Sequence, residues 1–283
     1  MENGIFLNLR LTLLLLAALL FFLATIPTGA QDSAIKISTP EQFKEDFNTV
    51  PCEDEQRLTG VRWLFERDGT PSATFTIDRY KDVENFVWTK KGESAEKIVV
   101  GAHYDKLGDG CGALDNWTGV VTLSHLYQSF KKVRLKKTLV LVAFDQEEKG
   151  LIGSRAMTNA ISKDQVVEYC AMINVDSLGL SPPQVADNMS SKKLAQLTAD
   201  LAKEMQMPFG HAKIEGASAD SVSFIAKKIP AVTIHGLSDE WPMILHSRND
   251  QPAKINPLSV YLGYRLVLSM IVHLDQSPCA AYK

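Results

Sequence analysis

The chain has no CxxC pair and only four cysteines in 283 residues. This excludes a thiolate-built metal site of the zinc-finger kind. It also has no excess of one charge. The formal net charge is −3, which gives no basic surface for nucleic acid, so no nucleic-acid partner is expected. Internal repeats, low-complexity tracts and linkers are missing too, which excludes solenoid and disordered architectures. Hydrophobic content of 45% and charged content of 22% are those of an ordinary globular protein. The chain has one long apolar run, LTLLLLAALLFFLATI, from Leu11 to Ile26. It is shorter than the ~20 residues a spanning helix needs. PTGA follows it, and small residues at Thr28 and Ala30 read as a signal peptide over residues 1–30. The expectation is a secreted or periplasmic protein with no stable membrane association after cleavage. Cys52, Cys111, Cys170 and Cys279 all lie in the exported part. Their even number permits two disulfides, in any of three connectivities. A bridge between Cys52 and Cys279 would staple the two ends.

Residues 31–283 suffice for one α/β domain. Within it, residues 31–96 are expected to be a helix-and-strand lead-in and residues 97–283 the core. Ser38 or Thr39 can cap a short helix with Pro40 in its first turn. VRWLFE, ATFTIDRY and NFVWTKKG alternate in strand fashion. From Lys97 the rhythm changes. KIVVGAH, TLVLVAF, AMINV and PAVTIHG read as buried strands. Helices are expected between them at Trp117–Phe130, GSRAMTNAI, SKKLAQLTADLAKEM and SADSVSFIAKK, and after them at Pro257–Leu274. Strands alternating with helices predict a three-layer α/β/α sandwich: a mixed, mostly parallel sheet with helices on both faces.

His103 ends the first buried strand. Glu147 and Glu148 follow the second, Asp176 follows the third, and His246 stands in ILHSRND. In open α/β sheets, ligands gather outside the carboxyl ends of the strands. Asp115 lies in the glycine-containing loop GDGCGALDN, which can turn sharply and present a carboxylate. Two imidazoles and several carboxylates form a nitrogen-and-oxygen set suited to zinc. Five ligands exceed what one catalytic zinc uses and match two zinc ions sharing a bridging carboxylate. An acid beside a ligand can shuttle the proton of an activated water. The Glu147-Glu148 pair supplies one. Asp105, two residues after His103, can fix its tautomer.

Taken together, AHYD, GALDNWTG, QEEKGLIGS, NVDSLG and LHSRND resemble the bacterial double-zinc aminopeptidases, metallopeptidase family 28. The resemblance runs from about Val99 to the C-terminus. It implies that His103, Asp115, Glu148, Asp176 and His246 bind two zinc ions, with Asp115 bridging. It also implies that Glu147 is the general base and Asp105 the partner of His103. The function implied is hydrolysis of N-terminal residues from peptide substrates. One feature departs from the family. Some members carry a tyrosine that steadies the oxyanion, whereas the matching region here reads EGASADS, with Gly216 near that place.

Other readings remain open. Glutaminyl cyclases are similar and use one zinc. A carboxypeptidase relative would want a cation near the cleft, for which Arg248 or Lys149 can be proposed. A non-catalytic binding module would usually lack the ligands. His125, His211 and His273 read as packing or surface residues, whereas His235 ends a strand and can line the cleft. Asp220 reads as a helix cap or a support for the site. Trp117, Phe144 and Trp241 can shape a side-chain pocket. The Asn116 and Asn188 glycosylation patterns are discounted, the first because a glycan there would obstruct the site.

Overall fold

The computed structural model describes residues 34–283, so the expected signal segment lies outside the described residues. In chain order the elements are α1 (Pro40–Phe47), α2 (Asp54–Glu66), β1 (Thr76–Tyr80), β2 (Val83–Lys90), β3 (Lys97–His103), α3 (Thr118–Phe130), β4 (Thr138–Phe144) and α4 (Ile152–Ala160). They continue with β5 (Tyr169–Val175), β6 (Gln184–Ala186), α5 (Lys192–Glu204), β7 (Gly210–Ala212), α6 (Ser221–Ala226), β8 (Ala231–His235), α7 (Trp241–Ile244) and α8 (Pro257–Gln276).

The eight strands make one sheet in the order β1-β2-β4-β3-β5-β8-β6-β7. The central strands β4, β3, β5 and β8 run parallel. Antiparallel pairing appears where β2 meets β4 and where β6 meets β8. The chain therefore leaves β3 for β4 on one side and later returns to β5 on the other. A crevice opens outside the carboxyl ends of the strands at such a reversal, and His103 is the last residue of β3.

Alternate side chains of β3 feed two cores, as a strand's period of two requires. Ile98, Val100 and Ala102 enter a large cluster with Val61 and Leu64 of α2, Val120 and Leu123 of α3, Leu194 of α5 and Met270 of α8. Val99 packs on the opposite face with Val142, Phe144, Met157 of α4 and Phe224 of α6. Helices thus cover both faces, as the alternation of elements implied. The apolar composition of α8 reflects this burial rather than a membrane span, since more than half of it is inside the protein.

VRWLFE is not a strand but the second half of α2. The buried residues of this helix are Arg57, Val61, Leu64 and Phe65. That spacing is helical, and Asp54 and Glu55 favour the helix start. A six-residue window hides the period. At α1, Thr39 and Gln42 form a reciprocal capping box, with Pro40 in the first turn. The cysteines pair as Cys52–Cys111 and Cys170–Cys279. Cys279 thus fastens the chain after α8 to β5, and no bridge joins Cys52 to Cys279.

Candidate metal centre and cleft

Three strand-end segments, after β3, β4 and β5, meet two loops, which carry Asp115 and His246, at the crevice. His103 is fully buried at the tip of β3, and its Nε2 lies 3.1 Å from Asp115 Oδ1 and 3.6 Å from Asp176 Oδ1. His246 approaches from the solvent side, with Nε2 3.0 Å from Asp115 Oδ2 and 3.1 Å from Glu148 Oε2. Asp115 therefore turns one oxygen toward each imidazole. The ligand atoms of His103, Asp115 and Asp176 lie within 4.8 Å of one another, as do those of Asp115, Glu148 and His246. A third group joins His103, Glu147 and Glu148.

The backbone around these residues is held for the purpose. Asp105 accepts the backbone N–H groups of Glu147 and Glu148 on its two oxygens, at 2.9 and 3.1 Å. Its Oδ1 also stands 3.4 Å from His103 Nδ1. Asp250 does the same for the other loop, accepting from Leu114 at 2.6 Å and Asp115 at 3.1 Å. Asn116 donates to Val175 O and accepts from Ser177 N–H and Gly119 N–H. This ties the Asp115 loop to the end of β5. Asn116 is fully buried, so it cannot carry a glycan in the folded chain. Gly112 adopts φ +58°, and a Cβ there would lie 2.8 Å from Asp115 O. Gly108 (φ +78°) lies so close to His246 that a Cβ would sit 2.2 Å from its carbonyl oxygen. Gln146, Ser177 and His246 have positive φ without being glycine. Left-handed backbone at such residues costs about 1–3 kcal/mol each and clusters at functional sites.

The electrostatics call for added positive charge. Burial pulls the His103 imidazole down, but hydrogen bonds to Asp105, Asp115 and Asp176 outweigh it and leave its pKa well above the usual range. Hydrogen bonds to Asp115 and Glu148 push His246 up to about 10. Burial, with the nearby charges of Asp220, Asp176 and Asp115, pushes Glu147 up to about 10, even though His103 opposes the shift. Glu148 Oε1 is buried without a hydrogen-bond partner. A donor set of two imidazoles and carboxylates, crowded and short of cationic charge, fits hard or borderline divalent ions such as zinc.

The cleft in front of this cluster has a volume of about 410 Å³. Met189, Ile214, Leu237, Trp241 and Leu245 give it an apolar wall. His235 also lines it. Its Nδ1 accepts the Leu237 N–H, and burial holds its pKa near 4. Of the three aromatic residues considered for the pocket, only Trp241 lines it. Trp117 is buried in the core below α3, and Phe144 packs with Phe224. Among the described residues, neither Arg248, Lys149 nor any tyrosine lines the cleft; Arg155 is its only lysine or arginine. Asp220 occupies the N-cap position of α6 but makes no capping bond, and burial raises its pKa to about 7. His125 lies elsewhere, bonded to Ser38 and Asp46. His211 pairs with Asp187 at the surface, and His273 is exposed. Asp250 and Arg57 carry structural contacts of the site that sequence reading did not single out. For Arg57 a signal existed: a charged residue in the buried stripe of an amphipathic helix.

Residues 85–270 match the family model described as Peptidase family M28. A "Probable zinc metalloprotease" of Pyrenophora tritici-repentis is 34% identical over 110 residues, covering 35% of this chain and 25% of the relative. The chain spans about a third or less of the length of the curated relatives it matches. Among solved structures, the aminopeptidase from Aneurinibacillus sp. strain AM-1 superposes with a TM-score of 0.60 at 24% identity, covering 69% of this chain and 48% of that one. An Acidobacteriales bacterium glutaminyl cyclase superposes with a TM-score of 0.71 at 17% identity, covering 89% and 99%.

Proposed function

The chain belongs to peptidase family M28, and on that premise we propose that it is an exported two-zinc exopeptidase that removes residues from the free N-terminus of peptides. The supporting observation is the carboxylate of Asp115, whose two oxygens face two different imidazoles. In this reading His103 and Asp176 would hold one zinc, Glu148 and His246 would hold the other, and Asp115 would be shared between them. Residues 31–283 act as one domain, with residues 97–283 carrying the metal centre. Export accords with two disulfides, which persist in oxidising compartments.

Bound zinc would supply Lewis acidity and lower the pKa of a water molecule. The rest of the chemistry belongs to the chain. Glu147 neighbours the ligand cluster without being needed as a ligand, so it accepts the water proton and returns it to the leaving amine. Asp105 orients this machinery twice over: it grips the backbone of Glu147 and Glu148, and it holds the His103 Nδ1 edge. The apolar wall from Met189 to Leu245 excludes water from one side of the reacting bond.

Hydrolysis of aminoacyl anilides and short peptides, each with a free or an acetylated N-terminus, tests the reading. Cleavage of only the free-amine substrates is expected. Cleavage of N-acetylated peptides from the C-terminal end would replace it with a carboxypeptidase. The likeness to the cyclase over nearly its whole length favours a second reading, single-zinc cyclisation of N-terminal glutamine. Pyroglutamate formation without hydrolysis would establish that reading.

A further inference from the structure

Arg57 is fully buried in α2, far in sequence from the cluster, and every one of its hydrogen bonds goes to a backbone carbonyl. Its Nε donates to Tyr104 O, the carbonyl between His103 and Asp105. Nη1 donates to Cys111 O at 2.8 Å and to Pro51 O at 3.2 Å, and Nη2 donates to Gly112 O at 3.2 Å. The guanidinium lies over the Trp117 ring, 5.2 Å from its centroid. One planar fork thus joins the segment that carries His103 to the loop that carries Asp115. A lysine cannot reproduce this, since its ammonium is a compact point donor. A buried arginine with no carboxylate on its donors is costly in a purely structural role. Here the charges of Asp54, Asp105, Asp250 and Asp115 act on it, but its hydrogen bonds go to none of their carboxylates.

We propose that Arg57 is a positioning residue of the metal centre. By holding the carbonyls of Tyr104, Cys111 and Gly112 together, it sets the separation of His103 and Asp115 and places a fixed cation behind the carboxylate cluster. Asp250 completes the arrangement from the opposite polarity. It accepts the N–H groups of Leu114 and Asp115 while Arg57 takes the carbonyls at the start of the same loop. The Cys52–Cys111 bridge anchors that loop covalently to the chain just before α2. Arg57 touches neither substrate nor ion in this arrangement. Its contribution appears in how tightly the ions are held.

The inference rests on the two-zinc reading, so wild-type zinc affinity is measured first, by competition with a chromogenic chelator. Arg57→Met, Arg57→Lys and Arg57→Ala are then measured in the same way, with folding followed by circular dichroism. Zinc affinity is expected to fall about 10- to 100-fold in folded Arg57→Met, the usual cost of losing a group that orients ligands. Arg57→Lys is expected to recover only part of it. Free methylguanidinium is expected to restore affinity to Arg57→Ala and leave Arg57→Met unchanged. A residue needed for folding alone would lower the melting temperature and leave the zinc affinity of the folded protein intact, which would overturn the proposal. Failure of all three variants to fold would also overturn it. Absence of zinc binding in the wild type would remove the two-zinc reading itself, and the proposal with it.

Discussion

His246 Nε2 stands 3.0 Å from Asp115 Oδ2, although the two residues come from opposite halves of the chain. The same carboxylate offers its other oxygen to His103. Everything proposed about the chemistry depends on this shared carboxylate. The fold makes it possible by reversing strand order at β3 and steering later loops back over the crevice.

Replacing Glu147 by glutamine removes the proton acceptor and keeps the shape. Turnover is expected to fall about 100- to 10,000-fold with zinc content unchanged. Unaltered turnover would eliminate Glu147 as the base.

The His125–Asp46 pair predicts an acid-sensitive docking of the N-terminal helix. Burial lowers the His125 pKa despite the nearby Asp46 carboxylate. The unfolded chain therefore binds this proton first, near pH 6.5. Stability from His125 is complete above that pH and declines as pH falls below it. Asp46 is also buried, and its hydrogen bonds with His125 and Arg67 outweigh burial to lower its pKa. Its contribution is lost only further down, below about pH 4. The melting-temperature gap between wild type and His125→Gln is expected to narrow from pH 7.5 to pH 5.5, values set on the reference histidine pKa of about 6.5. A gap that widens over that range would show that His125 is protonated in the folded state.

The two disulfides close loops of 59 and 109 residues. On chain-entropy grounds they stabilise by about 4 and about 5 kcal/mol respectively. A Cys170→Ser/Cys279→Ser protein is expected to melt well below wild type, and non-reducing peptide mapping should recover the Cys52–Cys111 and Cys170–Cys279 pairs. A peptide linking Cys52 to Cys279 would contradict the pairing.

Much of this architecture was legible in the sequence because buried parallel strands are near-continuous apolar runs. KIVVGAH, TLVLVAF and AMINV could be recognised without tertiary information, and their terminal acids and histidine came with them. Where the signal was short it misled or vanished. VRWLFE mimicked strand alternation because fewer than two helical turns were in view. The strands β6 and β7, three residues each, are too brief to have a period. Asp250 and Arg57 escaped notice for another reason: they act on backbone N–H and carbonyl groups of distant loops, and although a charge in the buried stripe of α2 marks Arg57, no local pattern encodes the partners of either residue. The cysteine pairing was equally hidden, since proximity in the fold, not position along the chain, brings Cys111 to Cys52.

The most direct test of the account is zinc counted per chain in the wild type and in Asp176→Ala, on protein dialysed against zinc and then against buffer. Two equivalents are expected in the wild type and one in the variant, together with loss of peptide hydrolysis. A single equivalent in both proteins would contradict the shared-carboxylate centre.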